Sequence, residues 1–468
     1  MTSLFLFAFF AGLMVLGLRR PFVWVLVYLY VDIVSPQKIS IEFLGAIPVS
    51  LITFAAAFLG WLAMDPKRDM RFTIRQALIV ALLAWCGFTT MHAAFPEFAV
   101  TKWDWVWKAL VFAAFLPLTL RTRLRIEAAV LVTVLSLGAI IVSGGIKTVF
   151  GGGGYESLKL LVNDNTGLYE SSIISTVAIA IIPLIAWLIK HGTVFAPSRV
   201  VTAFGYAMIL ACLLMPIGTA ARTGLLCIAL LAVLKLRSVK YRFVYLALVP
   251  ALGLIALPFL PQSYMDRMST IGAPDGDESA SSRLAVWGWT LDYAKENPLG
   301  GGFSAYRANS FTYDMRVQQK DGNTTKTRFV EVTDSERAFH SSYFEMLGEQ
   351  GWPGLFLWLA LNMVSLVQTE RIIRRWRKRA IEAETGGYAD PAIAVAASWQ
   401  APLGVALQQA HLVYLLGSVF VGIAFQPVMF MLLGFQIALA NHCRTHEARE
   451  REASQRAPRS MRTQPAMS

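Results

Sequence analysis

Residues 121–142 read RTRLRIEAAVLVTVLSLGAIIV, a basic cluster followed by a run whose only charge is Glu127. As a helix, Ile126–Val142 is about the length that crosses a ~30 Å hydrocarbon layer. The pattern recurs, since Ser3–Leu18, Phe43–Met64 and Phe243–Leu260 are likewise nearly free of charge. Of the 468 residues, 56% are apolar and 15% are charged. A soluble fold of this length needs far more polar surface. The residues therefore predict an all-α polytopic membrane protein.

The formal charge of +12 invites a nucleic-acid reading, but its placement argues against one. Basic residues gather at Lys67-Arg68 to Arg75, Arg121–Arg125, Lys190 to Arg199, Lys235 to Arg242, Arg371–Arg379 and after His442. They fall at every second connection between apolar runs. This is the positive-inside pattern, which places those connections in the cytoplasm beside anionic lipid. The expected partner is the bilayer, not nucleic acid. No Lys or Arg precedes Ser3–Leu18 and Arg19-Arg20 follows it, the reverse of a secretory signal. Cys86, Cys212, Cys227 and Cys443 show no metal-ligand spacing and read as small hydrophobes.

Alternation puts the other connections outside, near Ser35–Ile41, Pro96–Asp104, Ser143–Glu170, Gly218–Arg222, Pro261–Gln350 and Ile423–Gln426. About 12 transmembrane helices follow, with a thirteenth depending on Phe22–Val34. Residues 1–260 are expected to hold the N-terminal membrane helices, 261–350 one large outward loop, 351–441 the C-terminal membrane helices, and 442–468 a basic, disordered cytoplasmic tail. The run Gly151–Gly154 lacks the Gly-Lys-Ser/Thr of a phosphate loop and reads as a connector.

The long loop has pattern enough to be structured. Leu284, Trp287, Leu291 and Ala294 share one face at helical spacing in Ser281–Glu296, a helix expected to lie on the membrane surface. Ser281 or Ser282 can cap its start, and Asn297-Pro298 with Gly300–Gly302 can stop it. The apolar face is explained by packing alone.

Three outward residues stand where helices would begin: Arg222, Arg283 and His340. A cation in the first turn of a helix opposes the macrodipole, and the conflict disappears if an anion docks between it and the free N–H groups. Arginine adds bidentate contacts to a phosphate. The alternative for each arginine is a salt bridge or a snorkelling side chain. For His340, a helix start and nearby arginines keep the imidazole neutral near pH 7, able to accept a proton. His411, beside Gln408 and Gln409, reads as a hydrogen-bonded core residue.

Ser342 and Glu345 have capping-box spacing. Glu345 and Glu349 share a helix face from which either could orient an arginine, and Arg337 is a further supporting candidate. Asp275, Asp277 and Glu278 resemble an Asp-x-Asp metal motif, but their glycine- and proline-rich setting reads more simply as a solvated turn. No metal or other cofactor is expected.

Together these segments resemble the O-antigen ligase and polymerase superfamily of bacterial membrane glycosyltransferases. His340-Ser-Ser-Tyr-Phe-Glu-Met-Leu-Gly-Glu-Gln-Gly-Trp-Pro-Gly354 is similar to the family's His-Asn-x-Tyr-Leu-x-x-Leu-x-Glu-x-Gly-x-x-Gly signature, with Ser341 in place of the Asn. Ser282-Arg283-Leu284 and Asn297-Pro298-Leu299-Gly300-Gly301-Gly302-Phe303 are similar to its Ser-Arg…Asn-Pro-x-x-Gly-x-Gly-x stretch. Ala221-Arg222-Thr223-Gly224 resembles its Ser-Arg-Gly/Thr-x helix start, with Ala221 for Ser. Arg19-Arg20-Pro21-Phe22 and Ser35-Pro36-Gln37-Lys38 resemble the exosortase-associated O-glycosylation ligase branch.

The resemblance implies a GT-C-like fold in the bacterial inner membrane, with an active site facing the periplasm. It implies a metal-independent, inverting transfer of a glycan from undecaprenyl pyrophosphate to an acceptor hydroxyl on lipid A core, a protein or another glycan. On this reading Arg222 and Arg283 bind the departing pyrophosphate and His340 activates or positions the acceptor. The rivals are a repeat-unit polymerase of the same superfamily, a flippase for lipid-linked sugars and a non-catalytic scaffold. Spans nearly devoid of ionisable groups disfavour the flippase.

Overall fold

The computed structural model describes residues 2–39, 44–67, 70–151, 168, 170–236, 278–321, 324–385 and 391–456. Ten helices precede the loop among the described residues: α1 Thr2–Arg19, α2 Phe22–Val34, α3 Pro36–Ile39, α4 Val49–Met64, α5 Ile74–Met91, α6 Pro96–Thr119, α7 Arg123–Gly151, α8 Ser171–His191, α9 Arg199–Gly218 and α10 Arg222–Leu236. The loop supplies α11 Glu278–Glu296, a 3-10 turn at Ala305–Ala308, and strands β1 Ser310–Asp321 and β2 Thr324–Ser335. The chain then runs through α12 Ser342–Thr385, α13 Pro391–Gly417 and α14 Pro427–Arg456.

Five of the described helices are long and apolar enough to cross a membrane: α5, α7, α8, α9 and α12. With three shorter apolar helices beside them, this is a multi-pass membrane protein. The segment on which a thirteenth span depended, α2, has 13 residues. At 1.5 Å per residue it reaches only about 20 Å. Its last turn closes on Ser35 in the left-handed region (φ 50°). Phe243–Leu260 lies outside the described residues.

The centre of the bundle is α8, which is apolar on every face and buried from Ser172 to Ile185. It packs against α9, α10 and α13, while α12 joins α13 to α5, and α6 packs on α14. Outward faces carry large apolar side chains instead, among them Leu59, Leu62, Val200, Phe204 and Leu210. An apolar exterior around a partly polar interior suits a lipid solvent, which offers no hydrogen bonds. Inside, His411 is buried between the Asn362 amide oxygen (Nε2, 2.9 Å) and Gln436 (Nδ1, 3.2 Å), the hydrogen-bonded core role expected of it.

Several boundaries differ from the sequence reading. The connection expected from Ser143 is helical to Gly151, because Gly145 lets α7 approach Ala211 of α9 closely. The tail expected to be disordered from residue 442 continues α14 as helix to Arg456. The loop is not purely helical, for β1 and β2 form an antiparallel hairpin from Ser310↔Ser335 to Asp321↔Thr324. Near its base Phe311, Tyr313 and Val332 are half-buried and alternate with exposed Thr312, Asp314, Glu331 and Thr333. Thr312 and Thr333 meet through their hydroxyls at 3.0 Å, the kind of cross-strand pair that steadies a ribbon. Gly322 and Asn323 stand between the two strands in the sequence. Both lie outside the described residues.

Candidate functional site

The site is assembled around a break in α12. Pro353 has no N–H to give the Glu349 carbonyl, and Gly351 takes φ 65°, so the helix kinks there. The freed backbone groups find partners in other segments. Gly301 N–H donates to Gly348 O (3.0 Å), Gly302 N–H to Glu349 O (2.9 Å) and Trp352 N–H to Pro298 O (3.0 Å). The Trp85 indole donates to Gln350 O (2.7 Å). A Cβ on Gly300 (φ 88°) would collide with the Gly351 backbone, and one on Gly351 with Pro298 and Leu299. Two glycines from distant stretches are therefore required where the strap Asn297–Phe303 crosses the kink.

This weave fixes α11 over the first segment of α12. Val286, Thr290 and Ala294 are buried, and Trp287 stacks on Phe344 with ring centroids 4.9 Å apart. The Trp287 indole also donates to Phe339 O at 2.8 Å. Packing therefore explains the tryptophan, although the buried face is rotated from the one the sequence suggested and leaves Leu284 and Leu291 exposed.

Between those two Trp287 contacts sits His340, half-buried and in the left-handed region at φ 48°. A non-glycine residue held there stores strain that its surroundings must impose. Burial, then the positive charges of Arg283 and Arg337, lowers the imidazole to about 4. It is neutral at physiological pH, as the sequence predicted, though burial contributes more than the arginines do. The same Arg283 charge opposes burial at Glu170, whose carboxyl is raised. Glu170 immediately precedes α8, so Arg283 lies electrostatically between His340 and the start of that helix.

Arg337 is held on both sides. Its guanidinium donates to Asp334 (2.9 Å) and to Ser282 Oγ (2.9 Å). Its backbone is clamped by Asn309, which accepts from Arg337 N–H at 2.8 Å and donates to Arg337 O at 2.7 Å. Arg337 thus ties the base of the hairpin to the residue beside Arg283.

Arg222 reaches the same end of the bundle through a chain of contacts. Ser342 N–H donates to Ser418 O at 2.8 Å. The preceding Gly417 packs so closely on α8 that a Cβ would collide with Thr176. Next to Thr176, the Ser175 hydroxyl pairs with Thr219 at 2.9 Å. Thr219 caps α9, Ala220 turns the chain at φ 50°, and Arg222 opens α10. Its expected place at a helix start is therefore borne out. Arg283 differs, because α11 begins at Glu278 and leaves it in the second turn, where the macrodipole argument weakens. Ser281 and Ser282 then lie inside the helix rather than capping it.

The expected capping box at Ser342 is absent for a tertiary reason. Ser342 Oγ donates to Val421 O and accepts from Ile423 N–H, both at 2.9 Å. Glu345 and Glu349 bind a lysine rather than an arginine. Lys102 Nζ lies 2.6 Å from Glu345 Oε1 and 2.7 Å from Glu349 Oε2. Ser304 N–H donates to Glu349 at 3.0 Å, and Ala424 N–H to Glu345 at 3.2 Å. Sequence reasoning missed Lys102. Its signal was the pair of glutamates at i, i+4 on an otherwise apolar face, which required a cation from elsewhere.

Among the described residues no group of three or more His, Cys, Asp or Glu could hold a metal. Asp275 and Asp277 lie outside those residues, and Glu278 is the first residue of α11. The arrangement offers a neutral imidazole beside two guanidinium groups, with a third cation at an adjoining helix start. Such a set can receive an anionic phosphate ester and leave a proton acceptor next to it.

The pH consequence has a definite sign. Between about 4 and the ordinary histidine value of 6.5, unfolded chain binds a proton at His340 that folded chain does not. Stability therefore falls as pH drops through that window. The melting temperature should fall more steeply from pH 7 to pH 5 in the wild type than in His340→Asn. Parallel curves would remove His340 as a buried neutral imidazole.

Residues 206–359 match the family described as O-antigen ligase, and the match takes in Arg222, Arg283, the hairpin and the kink of α12. This segment is an O-antigen ligase-type domain, as the loop motifs suggested. Its domain is that of a membrane enzyme of the ligase and polymerase type, which implies lipid-linked glycan substrates. Residues 1–193 match a family of unknown function, DUF5935. No curated protein matches the chain.

Proposed function

We propose that this protein transfers a glycan from a polyprenyl pyrophosphate, of the undecaprenyl type, to an acceptor hydroxyl at the periplasmic face of the bacterial inner membrane. Arg222 and Arg283 hold the diphosphate, Arg337 supports it, and His340 accepts or orients the acceptor proton. The acceptor oxygen attacks the anomeric carbon as the bond to pyrophosphate breaks, inverting that centre, and the diphosphate leaves with the electron pair. The observation that carries the reading is a neutral imidazole flanked by Arg283 and Arg337 inside the ligase-type domain. A docked diphosphate offsets the two cationic charges and raises the basicity of His340 as the substrate arrives.

No metal is required in this scheme, because the guanidinium groups neutralise the leaving charge. A repeat-unit polymerase of the same superfamily differs only in the acceptor, another lipid-linked glycan. Placement of the ionisable cluster at the loop end favours an interfacial enzyme over a flippase. The exosortase-associated branch is a narrower form of the same proposal, resting on the N-terminal motifs.

The test is transfer by purified protein from a defined polyprenyl-pyrophosphate glycan to lipid A core, protein or glycan acceptors, with and without chelator. Product independent of chelator is expected. Activity abolished by chelator and restored by a divalent ion would instead implicate the acidic residues 275–278.

A further inference from the structure

At the opposite, basic end of the bundle, the turns before α5 and α7 and the end of α14 enclose a cavity of about 400 Å³. Its charged lining is dominated by Arg71, Arg121, Arg123 and Arg125, with Asp65 as its one carboxylate among the described residues. That carboxylate is already taken, since Arg125 forks it at 2.5 and 2.7 Å. The other three arginines have no carboxylate partner among the described residues. Arg121 donates to the Pro66 carbonyl. Arg123 donates to His191 O at 2.9 Å and lies over the Trp399 ring. The exposed Arg71 side chain makes no hydrogen bond or ion pair among the described residues.

Three cations around one cavity, with no carboxylate partner among the described residues, repel each other, and an anion relieves that repulsion. The sequence around them indicates what carries the anion. Phe72 adjoins Arg71 and Leu124 separates Arg123 from Arg125, and these apolar side chains are 62% and 59% exposed. A water-soluble anion gains nothing from them, whereas a lipid matches both, phosphate to guanidinium and acyl chain to Phe72 and Leu124. We propose that this cavity is a headgroup site for one anionic phospholipid of the surrounding bilayer. Bound there, the lipid braces three connections that are distant in sequence. The site is separate from the glycan-transfer site and does not depend on that reading.

The test uses full-length protein, purified in detergent and stripped of lipid. Phosphatidylglycerol, phosphatidylcholine and inorganic phosphate are titrated separately, with bound mass read by native mass spectrometry. One phosphatidylglycerol per chain is expected, with phosphatidylcholine much weaker and inorganic phosphate a poor competitor. Arg71→Gln/Arg121→Gln should weaken lipid binding by about fivefold per charge removed. Arg374→Gln/Lys378→Gln, which removes two highly exposed charges of α12, should leave it within about twofold of wild type. If the double variant does not fold, Arg71→Gln alone removes only an exposed side chain with no partner among the described residues and should still weaken binding about fivefold. Equal losses in the cavity and control variants would reduce the effect to diffuse surface charge and overturn the proposal. So would equal affinity for phosphatidylcholine, or saturation by inorganic phosphate at the lipid's own affinity.

Discussion

Lys102→Met is expected to destabilise the protein by about 3–5 kcal/mol, the usual cost of removing one partner from a buried ion pair. The substitution keeps the aliphatic stem but leaves the carboxylates of Glu345 and Glu349 facing each other without their cation. Glu349 is only 1% exposed and Glu345 11%, so water cannot take the lysine's place. These carboxylates also receive the N–H groups of Ser304 and Ala424, so strap, α12 and the turn before α14 loosen together. Thermal unfolding of purified variants checks this. Lys102→Met/Glu345→Gln/Glu349→Gln, which removes all three charges, should recover most of the loss. A single variant that melts within about a degree of wild type would show the triad to be dispensable.

His340→Ala is expected to lower glycan transfer by about 10²–10⁴-fold, the range of general acid–base catalysis. Alanine at φ 48° brings backbone strain of its own. His340→Asn is therefore the cleaner variant, because asparagine tolerates the left-handed region while lacking a titratable ring. His340→Asn should melt near wild type at pH 7, since the fixed backbone depends on Trp287, Asn309 and Ser342 rather than on the imidazole. A loss of activity that merely tracked a loss of folded protein would assign His340 a structural part. Wild-type transfer by His340→Asn would remove it from the chemistry.

Features that local pattern encodes were legible in the sequence. Leu-rich runs between arginine clusters gave the membrane helices, and Asn297-Pro298 with its glycines marked the end of α11. The turn Gly218–Arg222 and the buried, hydrogen-bonded role of His411 were equally clear, although its partners Asn362 and Gln436 come from other helices rather than from Gln408 and Gln409. The errors share a physical origin in partners far along the chain. Ser342 looked like a helix cap, but the turn at Val421–Ile423 competes successfully for its hydroxyl. Glu345 and Glu349 signalled a missing cation, yet Lys102 stands 243 residues from the first of them. Gly351 read as a family motif, and its reason emerged only where the Asn297–Phe303 strap crosses it. The hairpin was visible in hindsight as period-two alternation at Phe311, Tyr313, Val330 and Val332. Its many Arg, Lys, Gln and Thr residues made the stretch read as a polar loop.

Donor binding, measured separately from turnover, tests the central claim most directly. Purified wild type, Arg222→Ala, Arg283→Ala and His340→Asn would be titrated with a polyprenyl-pyrophosphate glycan and with its monophosphate counterpart. The account predicts that wild type and His340→Asn prefer the diphosphate alike, while either arginine variant loses that preference and its transfer activity. Undiminished preference in Arg222→Ala and Arg283→Ala would contradict a diphosphate gripped by these arginines beside a neutral imidazole.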